Sequence, residues 1–238
     1  MGRLLVSWSG GKDSLLALVR ARQAGHHIVG LLTTVSEPLG RVTMHGVRRE
    51  LVQAQAKALG LPLFEASLPV PDPANPRDRC PLCPVDAPQA GLVPNTTYEE
   101  VMLATLKPLA QTGVEGVVFG DIYLEDLRRF RESLLARVGL AGVFPLWGAQ
   151  PTELLREFSD KGGKALVVCC RQDLAPLLAT HTDNGFLAKL PPGVDPCGEN
   201  GEFHTFVFAH ASFSEPISFK LGETVTRDGF IWQDVRLA

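Results

Sequence analysis

Short apolar runs alternate along the first half of the chain with longer stretches whose apolar residues recur at helical spacing. That alternation predicts βαβ units around a parallel sheet. Strands are expected at Leu4–Trp8, Ile28–Thr33, Leu63–Ser67 and Gly116–Phe119. Between them, Asp13–Ala24 carries Leu15, Leu16, Leu18 and Val19 and stops at Gly25, while Arg48–Leu59 carries Leu51, Val52, Ala54, Ala56 and Leu59 and stops at Gly60. Both read as crossover helices ended by glycine. Prolines at 69, 71, 73, 76, 81, 84, 88 and 94 leave no room for a periodic element, so a long loop, a lid or an insertion is expected there. Thr96-Thr97-Tyr98-Glu99 has the spacing of a reciprocal helix cap and predicts a helix to about Gln111.

The second half continues with a helix over Leu124–Val138, a strand at Gly142–Leu146, a helix over Thr152–Lys161 and a strand at Ala165–Cys170. After Gly185 the pattern changes to short strands at Phe203–Phe208 and Ile217–Lys220, with a hairpin turning at Asp228-Gly229. The expected fold class is α/β, a Rossmann-like parallel sheet flanked by helices and followed by a smaller α+β domain. The boundary is placed between a first domain over 1–124, which includes the proline-rich insertion 69–95, and a second over 125–238.

Composition narrows the reading. The 238 residues, 45% of them hydrophobic, suffice for a sizeable core. No apolar run approaches the ~20 residues that cross a bilayer, and the N-terminus lacks a signal-like apolar region, so no membrane association and a cytoplasmic location are expected. A net charge of −3 argues against nucleic acid as the main partner. Five cysteines, two of them adjacent at Cys169 and Cys170, point to buried thiols rather than a disulfide framework. Sixteen arginines against 7 lysines suggest a GC-rich genome.

Chemistry enters with Ser9-Gly10-Gly11-Lys12-Asp13-Ser14, directly after the first strand and directly before the first helix. Two glycines let the backbone turn its N–H groups onto an anion, and the helix N-terminus adds unpaired donors and the positive end of its dipole. Ser9 and Ser14 supply hydroxyls, Lys12 a positive charge, and Asp13 a helix cap or a ligand for Mg²⁺. The same six residues also suit a plain tight turn into a capped helix. The spacing is not that of a Walker A loop, so γ-phosphate chemistry is not implied. A second cluster, Asp195-Pro196-Cys197-Gly198-Glu199-Asn200-Gly201-Glu202-Phe203-His204-Thr205, packs carboxylates, an amide, an imidazole and a hydroxyl around two glycines. Glu199 and Glu202 suit Mg²⁺, an ammonium ion or a proton from an attacking amine; an exposed acidic hairpin is the plainer alternative.

The first loop resembles the PP-loop of the N-type ATP pyrophosphatases, within the adenine-nucleotide alpha-hydrolase superfamily. With Met44-His45-Gly46, Val118-Phe119-Gly120-Asp121-Ile122, Pro145-Leu146-Trp147 and the Gly198–Thr205 motif, the order along nearly the whole chain resembles the diphthine–ammonia ligase family. The resemblance implies a HUP-type fold and an ATP-dependent ligase that adenylates a carboxylate and forms an amide with ammonia, releasing AMP and pyrophosphate. In that family the carboxylate belongs to diphthine, a modified histidine on translation elongation factor 2.

Carried over, Ser9, Gly10, Gly11, Lys12, Asp13 and Ser14, with Thr33 and His45, would bind ATP. Asp121, Glu199, Glu202 and His204 would serve catalysis, and Asn200, Gly201 and Thr205 the acceptor. Asp13 and Asp121 would hold Mg²⁺; as residues alone, Asp121 also suits a helix N-cap, and His45 suits packing against the loop. Partners would be a carboxylate acceptor, protein-borne or small, and free ammonium; homodimerisation stays open. A bacterial source would have no diphthine, leaving the reaction type without that acceptor. Two other readings remain: a thiolation enzyme relaying sulfur through Cys80 and Cys83, and an ATP-binding sensor without turnover.

Overall fold

The computed structural model describes residues 1–37, 39–69, 95–183 and 185–238. Its elements are β1 (Arg3–Ser7), α1 (Lys12–Gln23), β2 (His27–Ser36), β3 (Arg41–Val42), α2 (Arg49–Leu59), β4 (Leu63–Leu68), α3 (Asn95–Gln111), β5 (Gly116–Val118), α4 (Glu125–Ala136), β6 (Ala141–Val143), α5 (Pro151–Asp160), β7 (Lys164–Arg171), β8 (Phe203–Ala209), β9 (Phe219–Arg227) and β10 (Phe230–Leu237). The first sheet is α/β as expected. Its parallel strands run β4-β2-β1-β5-β6, and β3 folds back antiparallel on the end of β2. In chain order that is 3-2-1-4-5, the nucleotide-binding half of a doubly wound sheet, whose order reverses between β1 and β5.

The second sheet is antiparallel, in the order β8-β7-β10-β9. The two sheets share one core: Leu4, Val6, Trp8 and Leu16 of the first pack in a continuous cluster with Leu166, Phe206, Val207 and Val235 of the second. This geometry moves the break between the sheets. The boundary expected at 124/125 would cut off α4 and β6, yet β6 pairs in register with β5, Gly116 opposite Ala141. The chain changes sheet between β6 and β7.

Other departures have local causes. β2 continues to Ser36 because β4 pairs with its second half, Leu31 to Ser36 opposite Leu63 to Leu68. β9 runs on from Lys220 to Arg227, since β10 pairs along its length although Gly222, Thr224 and Thr226 give it no apolar alternation. The Asp228-Gly229 turn has φ of 50° and 78°, the left-handed pair such a hairpin requires. α3 begins at Asn95, so Thr96 lies inside the first turn instead of capping it. Cys80 and Cys83, and nearly all of the proline-rich insertion, lie outside the described residues.

A charged clasp joins the sheets. Asp234 of β10 is buried, and its two oxygens accept from Arg41 (2.7 Å), from Arg48 (2.8 and 2.9 Å) and from Arg236 (2.8 Å). Arg41 also donates to the carbonyl of Gly46 at 2.7 Å. Burial pushes the Asp234 carboxyl up, but the hydrogen bonds from Arg48, Arg236 and Arg41 outweigh it and hold it well below the usual carboxylate range. A depressed carboxyl stabilises the fold above its unfolded value, and that contribution is lost as pH falls through the folded one. We therefore expect Asp234→Ala to cost about 3 kcal/mol near neutral pH, because three arginines lose their counter-charge. The gap to wild type should narrow as pH drops below about 4. Urea unfolding of both proteins across that range checks it, and a pH-independent gap would contradict it.

Candidate active site

The crevice where strand order reverses is bounded by the turn after β1 and the turn after β5, so the Ser9–Ser14 loop and Asp121 meet there. The loop's shape is set by partners far along the chain. Gly10 has φ +83°, and a Cβ on it would stand 2.9 Å from Gln55 Oε1, so both conformation and space require glycine. Its carbonyl accepts from Val207 N at 2.9 Å and from Gln55 Nε2 at 3.0 Å. Gln55 also donates to the Val207 carbonyl at 2.6 Å and accepts from the indole of Trp8 at 2.9 Å. Gly120 is pressed on the same helix start, where a Cβ would lie 2.9 Å from the carbonyl carbon of Asp13.

α1 has no capping side chain of its own: Gly11 stands at its N-cap, and Thr205 of β8 supplies the acceptor, 3.1 Å from Lys12 N. Ser9 Oγ accepts from Gly11 N at 3.3 Å, and Ser14 Oγ donates to Gly11 O at 2.9 Å. Thr33, one residue beyond the Leu32 carbonyl that receives Trp8 N, has a buried hydroxyl with no partner. Gly10, Gly11, Lys12, Ser14 and Thr205 are buried, so the loop is closely covered in this conformation.

Lys12 is 1% exposed, and its ammonium is aimed at the second cluster: Nζ donates to Asp13 Oδ2 at 2.9 Å and to the Cys197 carbonyl at 2.5 Å, and lies 5.3 Å from the centre of the Phe203 ring. Burial pulls its pKa down, but Asp13, Cys197 and Glu199 outweigh that and raise it, so it stays charged. The 195–202 turn is organised by two carboxylates. Asp195 accepts from Cys197 N (2.7 Å), Glu199 N (3.3 Å) and the hydroxyl of Tyr123 (3.0 Å). Glu202 is buried and accepts from Asp195 N (3.2 Å), Asn200 N (3.0 Å) and Asn200 Nδ2 (3.1 Å). Gly201 turns there with φ 81°. Glu202 and Asn200 thus hold each other.

Glu199 faces the crevice. Its Oε1 accepts from Ile122 N at 2.8 Å. Burial, reinforced by Asp13 and Asp121, outweighs that N–H and Lys12 and pushes the carboxyl up to about 7. Asp121 is raised too, by burial against the pull of Arg131; Arg131 Nε lies 3.0 Å from Asp121 Oδ2, without hydrogen-bond alignment, over the Phe119 ring. Asp13 Oδ1 and Asp121 Oδ2 are buried without hydrogen-bond partners. Among the described residues no group of three or more His, Cys, Asp or Glu could hold a metal by itself. Asp13 Oδ1, without a hydrogen-bond partner among the described residues, is open to a hard cation such as Mg²⁺, whereas Asp121 Oδ2 would have to exchange its ion pair with Arg131 for one.

His45 and His204 pack with ring centres 4.4 Å apart and planes tilted by 35°, and a Cβ on Gly11 would meet His45 Cε1 at 3.2 Å. Burial lowers both; the neighbouring His204 and Lys12 add to the effect on His45, and Lys12 adds to that on His204, which falls to about 4. Both rings are neutral near pH 7, suited to hydrogen bonding or stacking rather than to countering phosphate charge.

The sequence assigned no role to Gln55, Tyr123 or Arg131, and placed Asp195 in the second cluster without one. Gln55 had a signal, a lone amide on the apolar face made by Leu51, Val52, Ala56 and Leu59.

Residues 2–69 match the family model of the diphthamide synthase N-terminal domain. A protein of Danio rerio named diphthine–ammonia ligase is 28% identical over 239 residues, covering 91% of this chain and 86% of that one. Its namesake in Homo sapiens is 28% identical over 233 residues, 91% of this chain and 82% of that one. A solved structure from Methanocaldococcus jannaschii, described as a predicted subunit of tRNA methyltransferase, aligns over 71% of this chain and 77% of that one with 18% identity and a TM-score of 0.41, too distant to bear on function. The chain is similar to proteins named diphthine–ammonia ligase over 91% of its length.

Glu199 links the site to stability. Its carboxyl is raised, so the fold loses stability as pH climbs from the unfolded value of about 4.3 towards the folded one. Glu199→Gln should remove that slope. Thermal melts of the two proteins from acid to mildly alkaline pH test it, and parallel curves would contradict it.

Proposed function

We propose that this chain, similar to the diphthine–ammonia ligases, is an ATP-dependent carboxylate–ammonia ligase that releases AMP and pyrophosphate. The observation that carries the reading is the Lys12 ammonium, joined to both the phosphate loop and the 195–202 turn. The loop after β1 binds the polyphosphate through backbone N–H groups and the Ser9 and Ser14 hydroxyls, with Thr33 and the His45–His204 pair on the nucleotide. Asp13 and Asp121 would hold Mg²⁺, which supplies charge neutralisation at the phosphates. The acceptor carboxylate attacks the α-phosphorus, the bond to pyrophosphate breaks, and an acyl adenylate forms. Glu199, balanced near neutrality, takes a proton from ammonium; the freed amine attacks the acyl carbon and AMP departs. Asn200, Gly201, Glu202 and Thr205 form the acceptor side, the first three by fixing the turn that presents Glu199 and Thr205 by capping α1 beside it.

No observation among the described residues favours thiolation, whose cysteine pair lies outside them. The acceptor is diphthine or another carboxylate, and the enzyme works in the cytoplasm. Incubation with ATP, ammonium and candidate carboxylates should give AMP and pyrophosphate; ADP and phosphate would overturn the mechanism. Glu199→Gln should lower kcat by about 10²- to 10⁴-fold with ATP binding retained. If that variant keeps full turnover, another group takes the proton.

A further inference from the structure

β9 is an edge strand, hydrogen-bonded to β10 on one side and to no other strand among the described residues. Edges of this length are normally blunted, because a row of free N–H and C=O groups is a template for another strand. This one also carries apolar side chains into solvent: Leu221 is 53% exposed and Val225 51%, and Leu237 of β10 adds a third at 41%. The register sets Val225 opposite Trp232 and Arg227 opposite Phe230 on one face; beyond a bulge, where the pairing steps from Thr224–Gln233 to Leu221–Val235, Leu221 and Leu237 lie on the other face, that of buried Val235. On the Trp232 face Val225 is left open towards the edge.

We propose that β9 pairs antiparallel with β9 of a second copy of this chain, about a twofold axis through Val225 perpendicular to the sheet. Such an axis keeps the same face of both copies on one side, so directly opposed residues must share a face. Centred on Val225, the pairing sets Val225 against the partner's Val225, and Glu223 against the partner's Arg227, twice by symmetry. Thr224 then faces the partner's Thr226. Centred on Glu223, the same geometry would bring two carboxylates into contact, and centred on Thr224 it would set Leu221 against the partner's Arg227. The charges therefore select one register and a self-complementary partner. Within one copy the Arg227 guanidinium makes an ion pair, among the described residues, with Asp228, 2.9 Å away, a pair worth little in water.

The test is a charge exchange read by sedimentation equilibrium. Wild type should be a dimer. Glu223→Arg and Arg227→Glu each place like charges opposite one another twice, and should weaken dimerisation about tenfold or more. The double exchange should restore it to within a few-fold of wild type. Val225→Lys, with two ammonium groups on the axis, should give monomer with an unchanged thermal melt. A wild type that stays monomeric, or a dimer whose dissociation constant ignores the single exchanges and the lysine, would overturn the proposal and leave these charges as guards against pairing. None of these residues touches the candidate active site, so turnover by each variant separates failure of the interface from failure of the ligase reading.

Discussion

The carbonyl of Gly10 receives two hydrogen bonds from separate directions, one from Val207 on β8 and one from Gln55 on α2. Both donors are buried, and a buried amide or peptide group left unpaired costs about 1–3 kcal/mol. The loop therefore acquires its shape only when the second sheet is in place, although it belongs to the first. Trp8 extends the dependence, because its indole orients the Gln55 amide and so fixes which end of that side chain donates. A loop held in this way is ordered by the protein's own contacts, so a ligand bound there would not have to order it. It also explains why glycine is required at position 10 beyond its left-handed φ: the space a side chain would occupy is filled by Gln55.

Charge in the crevice is finely balanced. Lys12 and Arg131 stand against Asp13, Asp121 and Glu199, one carboxylate more than the cations can neutralise. Glu199 shows the result: burial, reinforced by the charges of Asp13 and Asp121, outweighs the Ile122 N–H and Lys12 and pushes its carboxyl up to about 7. Its neighbour Lys12 is held charged, and the two histidines are held neutral partly by that same charge. The titration of each group is thus a property of the cluster.

Most of this fold was legible in the sequence because βαβ units state themselves through apolar periodicity and glycine stops: β1, α1, α2 and β4 lie within a residue or two of expectation, β2 at its start. The phosphate loop was legible for the same reason, since its position between a strand and a helix is itself a local signal. What was not legible depends on pairing between distant segments. β9 has little alternation and exists because β10 lies beside it; β6 is three residues long and declares its sheet only through Gly116 opposite Ala141. At the site, the Lys12 ammonium reaches the Cys197 carbonyl 185 positions away, a contact that no local pattern announces. Glu202 was expected to serve catalysis, with an exposed acidic hairpin as the alternative; it is buried and accepts from the backbone of its own turn, which excludes the exposed hairpin at that residue.

These contacts alter how the work is divided between the sheets. A reading from sequence gives ATP to the first domain and the acceptor to the second. Yet Thr205 caps the phosphate-loop helix, Val207 fixes Gly10, and His204 packs on His45, all from β8. In return, the turn after β5 donates Ile122 N to Glu199, and Tyr123 holds Asp195. The clasp at Asp234 completes the exchange from the far side, since Arg41 ties β10 to the carbonyl of Gly46, next to His45. A displacement of the second sheet would therefore disturb both ends of the site at once. The unit that must stay rigid for chemistry is the seam between β8 and the β1 loop, and neither sheet provides it alone.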